Sequence, residues 1–108
     1  MSLSLPHAIS TYFAISNGGN IANVKHCFTA EAVVFDEGKT HQGHAAIEEW
    51  QRAAQAAFDY SVEPLQLLTD GDRVTVTSNV VGNFPGSPVV LKHTFGLVGD
   101  KINTLEIV

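Results

Sequence analysis

Apolar residues recur at helical spacing in the first part of the chain. They stand at i, i+3, i+4, i+7 and i+8 from Leu5 to Phe13, which predicts an amphipathic helix that ends at Gly18-Gly19. Asn20 is suited to cap a second, short helix. A third helix is predicted from about His44 to Ala57, and its inner stripe is expected to be Ile47, Trp50, Ala54 and Ala57.

The rest of the pattern predicts strands. The β-branched run at residues 31–36 indicates one strand, followed by a loop or short hairpin. After Phe58 the apolar period changes to two, and Asp70-Gly71, Pro85-Gly86 and Gly99-Asp100 divide the remainder into four strands. Short turns between long strands indicate an antiparallel meander. We therefore predict an α+β fold, in which helices cover one face of a curved antiparallel sheet, as one domain over residues 1–108.

The last turn allows a prediction of register. If Gly99-Asp100 is a two-residue hairpin loop, Val98 pairs with Lys101, and His93 then faces Glu106 on an otherwise apolar face. An ionisable pair there indicates either a functional site or a cross-strand pair at the rim of the sheet. A one-residue bulge near Gly99 would instead put the two side chains on different faces.

Charge and cysteine content narrow the functional classes. Six Lys and Arg stand against eleven Asp and Glu, for a formal charge of −5, and the basic residues form no cluster. Nucleic-acid binding is therefore not expected. The N-terminus has no signal-peptide pattern, no apolar run is long enough to span a membrane, and Cys27 is the only cysteine. We expect no membrane association and a cytoplasmic location.

Three segments resemble a known superfamily. They are Tyr12-Phe13-Ala14-Ile15-Ser16-Asn17-Gly18-Gly19-Asn20, Phe28-Thr29-Ala30-Glu31-Ala32-Val33-Val34-Phe35-Asp36 and Gly43-His44-Ala45-Ala46-Ile47-Glu48-Glu49-Trp50. Their order and spacing resemble the nuclear transport factor 2-like superfamily, in particular its SnoaL-like and ketosteroid isomerase-like branches. The resemblance covers essentially the whole chain and implies a cystatin-like α+β cone that encloses a pocket.

The resemblance also implies roles for individual residues. By position, Asp36 corresponds to the proton-transfer base of the steroid isomerases, and Tyr12 to the tyrosine that stabilises the enolate. The second oxyanion donor falls on His93, where those isomerases have a carboxylic acid. In SnoaL-like cyclases, a histidine and a carboxylate on the last two strands form the acid–base site, which His93 and Glu106 resemble. Without the resemblance, Asp36 followed by Glu37-Gly38 is also ordinary turn chemistry.

Further residues are expected to line the pocket. Trp50 corresponds to a pocket position of the third helix, although it can equally fill the core. A polar residue in the middle of a strand can orient a ligand, and the face assignment decides whether Asn79 or Ser78 faces inward. The expected lining residues are Trp50, Val34, Phe58, Asn79 and Phe95. In a domain this short, the alternative is that Phe58, Phe84 and Phe95 fill the pocket.

The resulting hypothesis is an enzyme of isomerase or cyclase type that works without a cofactor. It would move protons on a small hydrophobic ketone or polyketide-like substrate, with no metal and no organic cofactor, since proton transfer needs only positioned acids and donors. His41 and His44 have a metal-like spacing, but no further ligand accompanies them. The alternative is a non-catalytic ligand-binding or dimerisation module. Low surface charge makes a homodimer through the sheet the expected assembly under both hypotheses.

Overall fold

The computed structural model describes residues 4–108, which form three helices and six strands. The helices are α1 (His7–Ser16), α2 (Val24–Cys27), which follows a 3₁₀ turn at Ile21–Asn23, and α3 (His44–Ala57). The strands are β1 (Phe28–Asp36), β2 (Lys39–Gln42), β3 (Tyr60–Asp70), β4 (Arg73–Gly82), β5 (Val89–Val98) and β6 (Lys101–Ile107).

The six strands form one curved, open sheet in the order β2-β1-β6-β5-β4-β3, with the helices on one side. The predicted α+β class and the meander of β3 to β6 are confirmed. One pairing differs from an all-antiparallel sheet, because β1 lies parallel to β6. This pairing places beside each other two strands that are far apart in sequence.

Glycines end α1 as its sequence predicts. Gly18 has φ +98°, a conformation that costs glycine little, and its N–H donates to the carbonyl of Ile15. Gly19 donates to the carbonyl of Ala14, and a Cβ atom at Gly19 would lie 2.7 Å from that oxygen. This close approach reverses the chain within a few residues, so that α2 leads directly into β1.

The buried face of α3 differs in part from the predicted stripe. Ile47 is fully buried, as expected, but the second buried residue of the helix is Gln51. Trp50 and Ala54 are only half-buried, and Ala57 is exposed. Ile47 and Gln51 therefore pack against the core, whereas the C-terminal part of the helix is more exposed and borders a cavity.

The predicted register of the last hairpin is wrong beyond its first pairs. Val98 does pair with Lys101 across the Gly99-Asp100 loop, but a bulge follows. Leu97 pairs with Ile102 and Gly96 with Thr104, so that Asn103 has no partner on β5.

The bulge has a local explanation. A Cβ atom at position 96 would collide with the Thr104 hydroxyl as it is placed here, so glycine favours this approach of the strands. Asn103 accepts a hydrogen bond of 2.8 Å from the Thr29 hydroxyl. Because side chains alternate between faces, one extra residue moves Glu106 to the outer face, where it pairs with Thr94 rather than with His93. Within residues 4–108, no helix is long and apolar enough to cross a membrane.

Candidate functional site

A cavity of about 450 Å³ lies between the inner face of the sheet and helices α1 and α3. This volume is within the usual range for small-molecule sites, and most of the lining is apolar. The wall is built from both helices, from the ends of β1 and β6, and from β3 to β5 with the connection between β4 and β5. Its residues are Tyr12, Ser16, Asp36, Glu37, Trp50, Gln51, Ala54, Phe58, Tyr60, Val62, Val80, Phe84, Pro85, Val89, Leu91, His93 and Ile107.

Strand register brings two ionisable side chains onto this wall. Asp36, the last residue of β1, is the partner of Ile107 on β6, and Ile107 is the partner of His93 on β5. The three residues thus form a row across three adjacent strands, and all three line the cavity. The carboxyl group and the imidazole lie on the same face of the sheet with one strand between them.

Asp36 is half-buried and hydrogen-bonded to the helix above it. The indole Nε1 of Trp50 donates to Oδ2 of Asp36 at 3.1 Å. Burial raises the pKa of the Asp36 carboxyl; the Trp50 hydrogen bond and nearby His41 act in the opposite direction, while the Glu37 charge raises it further. A carboxylate with a raised pKa is a stronger base than an exposed aspartate, and here it is also held in one orientation.

Tyr12 projects from α1 into the cavity with only 3% of its surface exposed. Its ring stacks on the indole of Trp50, with 6.4 Å between centroids and 11° between planes. Burial raises the pKa of the phenol above its usual value, with the neighbouring Ser16 hydroxyl acting in the opposite direction. The phenol therefore stays protonated at neutral pH and can act as a hydrogen-bond donor.

His93 is enclosed by aromatic rings at the inner end of the site. The ring centroids of Phe13, Tyr12 and Phe95 lie 5.3, 6.0 and 6.2 Å from that of His93. Burial lowers the pKa of this imidazole to about 4, so it is neutral at pH 7. Among residues 4–108, its Nδ1 atom has no hydrogen-bond partner, and the same is true of the buried Ser78 hydroxyl on the neighbouring strand.

The structure brings together five of the nine predicted site residues. Asp36, Tyr12, His93, Trp50 and Phe58 line one cavity, which the predicted phenylalanine plug does not close. Phe58 and Phe84 contact each other in its wall, with 6.0 Å between their ring centroids.

Four predicted residues lie elsewhere. Val34 and Phe95 are completely buried in the core outside the cavity wall, because other side chains cover them. Asn79 alternates outward on β4 and pairs with Glu63 and Val90, whereas its neighbour Ser78 faces the core. Glu106 is exposed on the outer face for the reason of register given above.

Four polar residues of the wall, Ser16, Glu37, Gln51 and Tyr60, were not predicted as site residues. Gln51 is 2% exposed, and its amide donates to the Ser16 hydroxyl at 3.2 Å. Burial raises the pKa of Tyr60, and the Asp36 charge raises it further. Two of these four residues carried a sequence signal. Ser16 lies four residues after Tyr12 and Gln51 four after Ile47, each on the same helical face as a predicted inner residue.

The charges of the wall bear on what can bind. Asp36 and Glu37 contribute carboxyl groups, His93 is neutral, and the lining includes no lysine or arginine. An anionic ligand would therefore meet no countercharge in this cavity, whereas a neutral one can use its neutral donors. The histidines with metal-like spacing are separately engaged: His41 stacks on Trp50, and Nε2 of His44 hydrogen-bonds to the carbonyl of Phe28. Residues 4–108 contain no group of three side chains suited to hold a metal.

Comparison with known proteins places the chain in a family. The profile of the SnoaL-like domain matches residues 9–101. A crystal structure from Sinorhizobium meliloti, provisionally described as a polyketide cyclase, is 40% identical, with a TM-score of 0.92 over 96% of this chain and 95% of that chain. No curated protein matches.

Two more distant structures share the fold. A protein with a ketosteroid isomerase-like fold from Catenulispora acidiphila, in complex with trimethylamine, is 20% identical, with a TM-score of 0.85 over 97% of this chain and 86% of that chain. The epoxide hydrolase/cyclase-like enzyme of pyran ring formation in salinomycin is 23% identical, with a TM-score of 0.78 over 93% and 85%. At these identities the likeness concerns the fold alone. With a profile match over most of its length and a 40% identical relative, the chain belongs to the SnoaL-like family, within the nuclear transport factor 2-like superfamily.

Proposed function

We propose that this protein is a cofactor-independent enzyme that transfers a proton on a small, neutral, hydrophobic ketone. The observation that carries the proposal is the joint position of Asp36, Tyr12 and His93 on the wall of one largely apolar cavity. A base with a raised pKa and two neutral donors are the groups that enolisation requires. The 40% identical protein described as a polyketide cyclase supports a polyketide-like ketone as the substrate class.

Asp36 is the proposed base. Its carboxylate would remove a proton from the carbon next to the substrate carbonyl, and the electrons of the C–H bond would form the enolate. The same carboxyl group, now protonated, would return the proton to that carbon or to a conjugated one, so that no oxidant, metal or water is consumed. The hydrogen bond from Trp50 leaves the second carboxyl oxygen, Oδ1, for the substrate.

Tyr12 and His93 are the proposed donors to the enolate oxygen. Both are almost completely buried, and both are neutral at pH 7, so they can donate hydrogen bonds without the cost of burying a charge. Donors held in an apolar cavity stabilise a developing oxyanion more strongly than water does. Glu106 has no part in this mechanism, because it lies on the other face of the sheet.

Deuterium exchange on a panel of simple ketones tests this proposal. The protein is incubated in deuterated water with neutral β,γ-unsaturated ketones and 1,3-diketones, and uptake of deuterium at carbon is followed by mass spectrometry. We expect exchange above the buffer rate for ketones that fit the cavity. Exchange at the buffer rate across the panel would contradict the proposal and favour a ligand-binding module.

Tyr12→Phe is expected to slow this exchange by about 10²-fold, the usual effect of removing one oxyanion donor. The substitution keeps the ring and its stack on Trp50, so binding of the ketone should change little. The rate constant at saturation and the half-saturating concentration are measured separately. A change confined to the half-saturating concentration would contradict the role of the hydroxyl group in stabilising the enolate.

We also propose that two copies associate through the outer face of the sheet. This face exposes Phe35, Leu68, Val81, Val90 and Val108, with 57% of Val90 and 68% of Leu68 accessible. Exposed apolar side chains on one face of a sheet can supply the contact area of an interface between subunits. Sedimentation equilibrium should give a dimer that Val90→Lys dissociates, while Ala56→Lys on α3 leaves it intact. A wild-type monomer at high protein concentration would contradict this proposal.

A further inference from the structure

A second groove opens beside the cavity, between α3 and the hairpin of β1 and β2. Its volume is about 510 Å³. It shares five residues with the main cavity: Asp36, Glu37, Trp50, Ala54 and Phe58. The two spaces are therefore adjacent, and these five residues form their common boundary.

The floor of the groove is apolar, and its rim is polar. The floor is the face of α3 from Ala46 to Ala57, continued by Phe58, of which 42% is exposed. At a rise of 1.5 Å per residue, this face is roughly 16 Å long. The rim carries Lys39 together with the carboxylates of Glu37 and Glu49, so both charge signs are present. The groove thus suits an extended apolar group more than a compact or charged one.

The reactive carboxyl group lies at the boundary between the two spaces. The indole of Trp50, which hydrogen-bonds to Asp36, has a stacked neighbour from each side: Tyr12 of the main cavity at 6.4 Å and His41 of the groove at 5.8 Å. A substrate carbon at Asp36 would therefore have the oxyanion donors on one side and the groove on the other.

We propose that the groove is a second subsite, which takes an apolar extension of the ketone bound in the main cavity. This inference rests on the proposed function and narrows its substrate class to elongated neutral ketones. The carbonyl group would face Tyr12 and His93. The aliphatic chain would extend from the main cavity past Asp36 into the groove and lie along α3. In this position the chain would cover the accessible surfaces of Phe58 and Trp50.

A series of linear 2-alkanones of increasing chain length tests the subsite. Binding is followed by the fluorescence of Trp50, which is the only tryptophan of the chain and lies at the boundary. Each methylene group that enters the groove should tighten binding about 2- to 4-fold, until the groove is filled. Affinity that stops rising once the main cavity is full would overturn the proposal.

A matched pair of variants locates the effect. Ala53 is exposed, lines the groove and does not line the main cavity; Ala56 is exposed on the same helix and lines neither. Ala53→Phe should weaken binding of long ketones by about 10-fold or more, as several buried methylene groups are displaced, and change that of short ketones less than about 2-fold. Ala56→Phe should change neither. Equal effects on long and short ketones, or no effect of Ala53→Phe, would overturn the proposal.

The proposed function and the proposed subsite can be contradicted independently of each other. Trp50 fluorescence measures ketone binding whether or not exchange takes place, and its dependence on chain length reports occupancy of the groove; exchange of short ketones does not involve the groove. Exchange of short ketones without any dependence of affinity on chain length would overturn the subsite alone. Circular dichroism of both alanine variants verifies that the fold is retained.

Discussion

Asp36→Asn is expected to abolish nearly all carbon-bound deuterium exchange, with a loss of about 10³-fold, within the usual range for removal of a general base. The amide cannot accept a proton at neutral pH, yet it has almost the size of the carboxyl group and can still accept the Trp50 hydrogen bond. Ketone binding, measured by Trp50 fluorescence, should therefore persist. In the wild type, exchange should rise with pH as Asp36 ionises, with a midpoint above the ordinary aspartate pKa, because burial raises it.

Glu106→Gln is the matched control for this experiment. It removes a carboxylate from the adjacent strand, but on the outer face of the sheet, and should leave exchange within about 2-fold of the wild type, as surface substitutions usually do. If Glu106→Gln were the variant that lost activity, or if Asp36→Asn kept it, Asp36 would not be the base.

The stability of the protein is expected to fall as the pH is lowered from 7 to 4, owing to His93. Its pKa is about 4 in the folded protein, against 6.5 in an unfolded chain. Between these values, the unfolded chain binds a proton that the folded protein does not, so acid favours unfolding. The contribution of His93 is fully present above pH 6.5 and is lost as the pH falls towards 4, a change of about 3 kcal/mol in the free energy of unfolding.

Urea unfolding at several pH values measures this effect against a variant that cannot titrate. His93→Leu retains the volume approximately, and His93→Gln is a second choice if the first does not fold. The difference in free energy of unfolding between wild type and variant should decrease by about 3 kcal/mol over this range. Asp36 titrates in both proteins, so its contribution cancels. A constant difference would show that His93 is not buried as a neutral group.

Most of the fold could be predicted because it depends on local rules. Three local signals gave the predicted structure, and each acts within a few residues. They are the apolar stripe from Leu5 to Phe13, which forms a helix, the end of that helix at Gly18-Gly19, and the turn at Gly99-Asp100. The parallel pairing of β1 with β6 could not be obtained in this way. It joins segments about seventy residues apart, and no local pattern specifies which edges meet.

The error at Glu106 has a different origin, since its cause was present in the sequence. Gly96 interrupts an otherwise well-formed strand, and an isolated glycine there is typical of a bulge. The position of the extra residue, Asn103, depends on the approach of Gly96 to Thr104 and on the hydrogen bond from Thr29 to Asn103, which only the assembled sheet provides. Because the register shifts by one residue, Ile107 rather than Glu106 is the residue of β6 that pairs with both Asp36 and His93.

The sequence by itself predicted the order of the elements, although it left open whether a loop or a hairpin follows β1. It also predicted the fold class and three polar residues of the cavity wall, Asp36, Tyr12 and His93, since these depend on periodicity, turns and family position. Tertiary structure decided which carboxylate shares the cavity wall with the imidazole, that Gln51 and Ser16 join the wall, and that a second groove lies on the other side of Trp50. The physical reason is the difference in the distance along the chain over which the deciding interactions act. Helices and turns form from interactions within a few residues, whereas the face on which a strand presents its side chains is set by register across the whole sheet.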